Sequence, residues 1–139
     1  GLGTITPASG FVGPMGALVI GFSAGVVCFF MTSFIKRKLK IDDSLDVFPV
    51  HGVGGILGTI MAGIFVSAGF GGAGYAEGMT MGSQVGVQLI GVIATFVFTA
   101  VVTFIILKLV DALLGLRVTD EEETEGLDIN QHDERGYIL

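Results

Sequence analysis

The sequence predicts an all-α integral membrane protein with three spanning helices, and three observations carry that prediction. Of the 139 residues, 51% are hydrophobic and only 14% are charged, against roughly 25% charged in soluble domains; mean hydropathy is +0.81. No Asp, Glu, Lys, Arg or His occurs from Gly1 to Ile35, or again from Gly78 to Leu107. Uncharged apolar runs of about 18 or more residues are long enough to cross the hydrocarbon layer as helix. The 23 glycines are scattered through these runs instead of being gathered in a linker, which suits membrane helices that pack closely. Composition therefore excludes a soluble domain.

Residues 1–9 are apolar and end near Pro7, so they are expected to close a fourth helix that begins earlier. The start, Gly-Leu-Gly-Thr, has no initiator Met and no basic leader; it does not read as a signal peptide but as the middle of a longer chain. Span one is predicted over about 14–35, opening on Pro14, whose missing N–H costs nothing in a first turn, and stopping at Lys36, Arg37, Lys38 and Lys40. Span two is predicted over about 46–66, with Asp46 as N-cap before Val47 and Phe48 and Pro49 in the first turn. A flexible loop is expected around Gly69–Gly74. Span three, about 83–114, would measure roughly 48 Å at about 1.5 Å per residue and must tilt, kink or project. Residues 1–117 form the transmembrane region and 118–139 the tail.

The basic residues orient this topology. Four lie in 36–40, Lys108 and Arg117 at the end of span three, and Arg135 in the tail, while the 67–82 loop carries only Glu77. The positive-inside rule then places the 36–46 loop and the C-terminus in the cytoplasm. The tail holds eight of the thirteen acidic residues against one Arg. Thr119-Asp120-Glu121-Glu122 resembles a capping box, which would start a short helix, whereas composition alone favours a disordered acidic tail.

His51 is the candidate for chemistry, an ionisable side chain inside an otherwise uncharged span. Such residues usually face a bundle interior or a water-filled path. It would lie about 12 Å deep if the helix starts at Asp43, or about 7 Å if it starts at Asp46. Gly55, Thr59 and Gly63 follow on its own face, with Gly54, Gly58 and Ala62 on the adjacent stripe, and such small residues bring backbones together. The expected surroundings are fixed and dry, which favours a neutral imidazole. That group donates from one ring nitrogen and accepts at the other, as a small polar solute requires. A histidine bonded between helices is the equal alternative on chemistry alone. No Cys, Glu or second His stands at ligand spacing in the membrane, so no metal site is expected; lone Cys28 reads as a small hydrophobe. Asp42, Asp43 and Asp46 suit a helix N-terminus through the macrodipole. Gln84 and Gln88 could bond between helices, and Lys108 with Asp111 reads as an interfacial pair.

The run from Asp42 to Gly58, DDSLDVFPVHGVGGILG, closely resembles the signature of the ammonium transporter family (Amt/Mep/Rh). Ile5–Gly10, Tyr75–Gly78 with Met81-Gly82, and Glu125-Gly126-Leu127-Asp128 followed by His132 agree with it in the family's order. The resemblance implies the last three spans, plus the end of a fourth, of an eleven-helix bundle assembled as a homotrimer in the plasma or inner membrane. It implies that His51 is one of two pore histidines and that Val47 lines the cytoplasmic part of the path. Ammonium would bind outside, lose a proton and pass as ammonia through an apolar pore that excludes ions. No cofactor, nucleic-acid partner or enzymatic activity is implied. The second histidine and the outer gate would come from the rest of the protein, so this chain alone is not expected to conduct. The tail residues Glu125, Gly126, Leu127, Asp128 and His132 would pack on the next subunit and receive the nitrogen-regulatory PII signal protein. The core of the motif is present while its edge departs from the family pattern: Asp133 follows His132 where Gly is usual, and the end reads Arg-Gly-Tyr-Ile-Leu. An ammonium sensor of the same fold, an Rh-type protein and a small membrane scaffold are the alternatives; Rh proteins normally lack a tail like 125–128.

Overall fold

The computed structural model describes residues 1–134 and Gly136. All regular elements among them are helical. Arg135 and the Tyr137-Ile138-Leu139 end lie outside the described residues.

In the first unit, residues 1–95, α1 (Leu2–Ile5) runs into a 3-10 turn (Thr6–Ala8). α2 (Pro14–Ser33) opens on Gly13 with Pro14 in its first turn. It continues into a π-helical turn (Phe34–Leu39) that stops where Lys40 turns left-handed, φ 53°. The helix therefore carries Lys36, Arg37 and Lys38 on its last turn, past the expected stop at Ile35. A second π-helical segment (Phe48–Val53) leads into α3 (Gly54–Phe65). α4 (Met81–Leu114) begins in this unit and is the third helix long and apolar enough to cross a membrane.

The core is made by small residues. On α2 the buried positions are Gly16, Ile20 and Ala24, and on α3 they are Gly54, Gly58, Ala62 and Gly63. A Cβ on Gly58 would collide with the backbone carbonyl of Thr4, and one on Gly16 would sit 3.0 Å from Phe65 Cβ. Backbones this close gain dispersion contacts that longer side chains would prevent. Ala8, Ile20 and Ala62 form the buried centre, walled by Ile5, Val12, Met61 and Phe65. Gly63 receives the start of α4, with Gln88 Cγ 3.0 Å and Val85 Cα 3.5 Å from its Cβ position.

The glycine-rich connection after α3 is not the flexible loop expected. A 3-10 turn (Ala68–Phe70) ends at Gly71, φ 76°. Gly72 and Gly74 then donate N–H groups back to Ser67 and Val66, at 3.0 and 2.7 Å, and Ala73 donates to Phe11 at 2.9 Å. The Tyr75 hydroxyl reaches the Gly63 and Ile64 carbonyls at 3.2 and 3.1 Å. These are carbonyls of the last turn of α3, where helices leave acceptors unpaired. Backbone bonding holds what glycine composition suggested would move.

In the second unit, residues 96–139, the rest of α4 is followed by α5 (Asp120–Glu125) and α6 (Leu127–His132). The capping box is present: Thr119 Oγ1 accepts from Glu122 N at 3.3 Å, and Thr119 N donates to Glu122 Oε2 at 2.8 Å. Gly126, φ 109°, breaks the two helices apart. The helical reading of the tail holds over the disordered one.

Candidate functional site

The site is best built from the turn between α2 and α3, because that turn decides where His51 points. Asp43 caps the second span. Its Oδ1 accepts from Val47 N and its Oδ2 from Phe48 N, each at 2.8 Å. Two of the four unpaired N–H groups of a helix start are thus met by one carboxylate, aided by the helix dipole.

Asp46 does not cap as expected. Its backbone occupies the N-cap position, with its carbonyl accepting from Val50 N at 3.0 Å. Its φ of 56° departs from the extended conformation of a capping residue, and its Oδ1 lies 2.8 Å from Lys36 Nζ. Asp43 meets the helix-start amides, while the Asp46 carboxylate pairs with Lys36.

His51 stands four positions after Val47, the first helical residue. His51 falls inside the π-helical segment Phe48–Val53, a winding that occurs mostly at functional sites. Phe48 folds back over Gly52, whose Cβ position is 3.0 Å from the ring. Pro49 is buried and contributes no N–H to the first turn.

Both small-residue stripes of α3 take part in packing within this chain, and they do so unequally. The tighter one is Gly54, Gly58 and Ala62, against Thr4, Cys28 Sγ and the α2 core. The stripe of His51 is buried at Gly63, which packs against Val85 and Gln88, and less covered toward Val47. Val47 and His51 are exposed, and a Cβ on Gly55 would meet nothing within 4 Å. Thr59 bonds its own helix at the Gly55 carbonyl, 2.8 Å. The imidazole Nδ1 lies 3.4 Å from the Cβ position of Gly3. The structure thus sets Val47, His51 and Gly55 on successive turns of one helix side, the first two exposed and Gly55 half-buried, while the adjacent stripe packs tightly.

In the tail, Glu125, Leu127, Asp128 and His132 are exposed and ordered on or beside α5 and α6. Glu125 Oε2 accepts from Asn130 Nδ2 at 2.9 Å across Gly126, which ties the two short helices. Glu122 is held below the usual carboxylate range by the Thr119 N–H first and by its hydroxyl second. Among the described residues no three His, Cys, Asp or Glu side chains gather as a metal site would need.

What sequence reasoning missed is the Lys36–Asp46 pair and the π winding around His51. The pair had a faint signal, a basic cluster and an acidic cluster flanking one short loop. The winding had none.

Residues 1–137 match the Ammonium Transporter Family. The chain is 44% identical over 139 residues to an ammonium transporter of Bacillus subtilis, a match covering 99% of this chain and 34% of that protein. It is 47% identical over 138 residues to ammonium transporter Amt1 of Archaeoglobus fulgidus, covering 99% and 34%. Among solved structures it is similar to one titled Sensor Amt Protein, with a TM-score of 0.77, 31% identity, and coverage of 94% of this chain and 34% of that one. The chain thus spans about a third, 34%, of the curated relatives' length.

Proposed function

We propose that this chain, which belongs to the ammonium transporter family, supplies three spanning helices of a transporter that moves ammonium across a cell membrane as ammonia. The observation that supports the reading is His51 beside Val47, both exposed in this chain, on a span that is apolar by composition and backed by the glycine stripe of α3.

A neutral imidazole on such a span can accept from an N–H of ammonia and donate to its lone pair. Val47 supplies apolar wall one turn toward the cytoplasmic end. Apolar walls disfavour a bare cation by several kcal/mol while ammonia loses far less hydration. The remaining two thirds of the protein would close over these residues and complete the path, as a homotrimer in the plasma or inner membrane. The basic π turn after α2 supports, by the positive-inside rule, a cytoplasmic side for the 36–46 loop and the tail. There Glu125, Gly126, Leu127, Asp128 and His132 would meet a neighbouring subunit and the PII signal protein.

The test is methylammonium uptake by the complete transporter carrying His51→Ala. Uptake should fall strongly at normal membrane abundance; unchanged uptake would defeat the assignment.

Likeness to a structure titled Sensor Amt Protein favours one second reading, an ammonium sensor that binds but scarcely transports. Ammonium-dependent signalling from a protein that shows no uptake above background would select it.

A further inference from the structure

The turn that precedes His51 holds a choice between two helix starts. Asp43 now takes the amides of Val47 and Phe48. Asp46 stands where a capping residue normally stands, yet is kept in a left-handed conformation, φ 56°, which L-residues other than glycine seldom adopt. Its Oδ1 is buried and takes no directional hydrogen bond, so the Lys36 ammonium, 2.8 Å away, is what offsets its charge. Lys36 itself rides on the π turn Phe34–Leu39, which ends on a second left-handed residue, Lys40 at φ 53°. Two wide helical turns and two left-handed residues therefore meet across one ion pair.

We propose that Lys36, by clasping Asp46, is a positioning residue for His51: it keeps the helix start on Asp43 and the segment 48–53 in its wide winding, and so sets the direction of the imidazole. This rests on the reading of His51 as a path-lining group.

The geometry gives the size of the effect. A π turn holds about 4.4 residues in place of 3.6, so each residue advances roughly 82° instead of 100°. Gly54 is locked, because a Cβ there would lie 2.6 Å from Thr4 Oγ1 and 3.3 Å from Cys28 Sγ. His51 is three residues before it. Rewinding that stretch as α-helix would swing the imidazole by roughly 50° and carry its Cβ about 2–3 Å around the axis. Without Lys36, Asp46 is free to turn extended and cap Phe48 itself, as its position favours, and the rewound start becomes accessible. The pair is partly exposed, with side-chain exposures of 40% and 31%. Pairs of that kind contribute little to global stability, so the effect belongs in turnover.

The experiment measures methylammonium uptake by the complete transporter at matched membrane abundance, with His51→Ala alongside. Lys36→Met should lower maximal uptake about tenfold while the apparent KM stays within about twofold, since a misdirected group costs rate more than binding. Thermal unfolding in detergent should be unchanged, and Lys36→Arg should retain uptake. The double variant Lys36→Met with Asp46→Gly should recover to within about threefold, because glycine takes a positive φ freely and offers no competing cap. That recovery is foreign to a merely structural ion pair. Full uptake by Lys36→Met, or no recovery in the double variant, overturns the clasp and leaves the transport reading standing. Full uptake by His51→Ala overturns both.

Discussion

Gly58→Ala tests the packing on which the position of His51 depends. An added Cβ would overlap the Thr4 carbonyl oxygen and lie 2.8 Å from that carbonyl carbon and 3.2 Å from Thr4 Cα. The obstacle is backbone and cannot rotate away, so α1 and α3 must separate. Overpacking of this kind costs about 1–3 kcal/mol, and a fixed backbone partner puts this case near the upper end. Against it, alanine is favoured over glycine inside a helix by about 1 kcal/mol. The net expectation is a loss of about 2 kcal/mol. The assay is unfolding of the complete transporter in mixed detergent micelles, titrated with a denaturing detergent and followed by loss of helix signal. Stability within about 0.5 kcal/mol of wild type, the scatter of ordinary surface substitutions, would refute the close approach of α1 to α3. Gly55→Ala is the companion. With nothing within 4 Å of its Cβ position, only the helix preference operates in this chain, a gain of about 0.5–1 kcal/mol. A loss in the complete protein instead would mean that another surface closes over the His51 stripe.

Asp43→Ala removes the acceptor of two helix-start amides and should cost about 1–2 kcal/mol in the same unfolding assay; an unchanged midpoint would mean that Asp46 takes over the cap. Tyr75→Phe deletes the hydroxyl that reaches the Gly63 and Ile64 carbonyls, and should cost about 1 kcal/mol with faster amide exchange in the last turn of α3. Glu122 titrates below the usual range because Thr119 stabilises its charged form. Its folded value is the lower one, so its contribution to α5 is complete above the ordinary glutamate range, near 4.3, and is lost as pH falls through the folded value. Amide shifts of 120–125 should stay constant from neutral pH down to that range and change below it, and Glu122→Ala should abolish the step.

The spans were legible because charge-free stretches of helical length have few other uses, and Pro14 and the lysines after Ile35 marked one of them at both ends. The tail helix was legible because a capping box is a local device: Thr119 and Glu122 need only each other. The cap of the second span was not. Choosing between Asp43 and Asp46 depends on Lys36, a residue of another helix, and on a left-handed φ that no side-chain pattern announces for aspartate. The order of the 67–74 loop escaped for a related reason. Gly72 is there because Phe65 and Val66 carbonyls crowd its Cβ position, and a glycine kept for close approach reads in sequence like one kept for freedom. Which stripe of α3 packs more tightly was a choice between two plausible small-residue patterns, decided by where Thr4 lies.

That last choice bears most on function. A helix that presented His51 and its glycines together to one neighbour would bury the imidazole in a contact and leave no room for a solute. α3 divides these tasks. Gly54, Gly58 and Ala62 take the close contact on one side, so the helix cannot roll without driving a backbone into Thr4. Val47 and His51 lie exposed on another side, with the imidazole beside Gly3 and Gly55 half-buried. An imidazole must be stationary to offer hydrogen bonds in fixed directions, and uncovered to offer them to something other than protein. Glycine contacts on one side and an exposed imidazole on another meet both conditions on a single span. The histidine bonded between helices, equal to the path-lining reading on sequence chemistry, would need a partner donor or acceptor on a neighbouring element. Within residues 1–95 the Gly3 turn lies beside the imidazole, and any side-chain partner would come from the rest of the transporter.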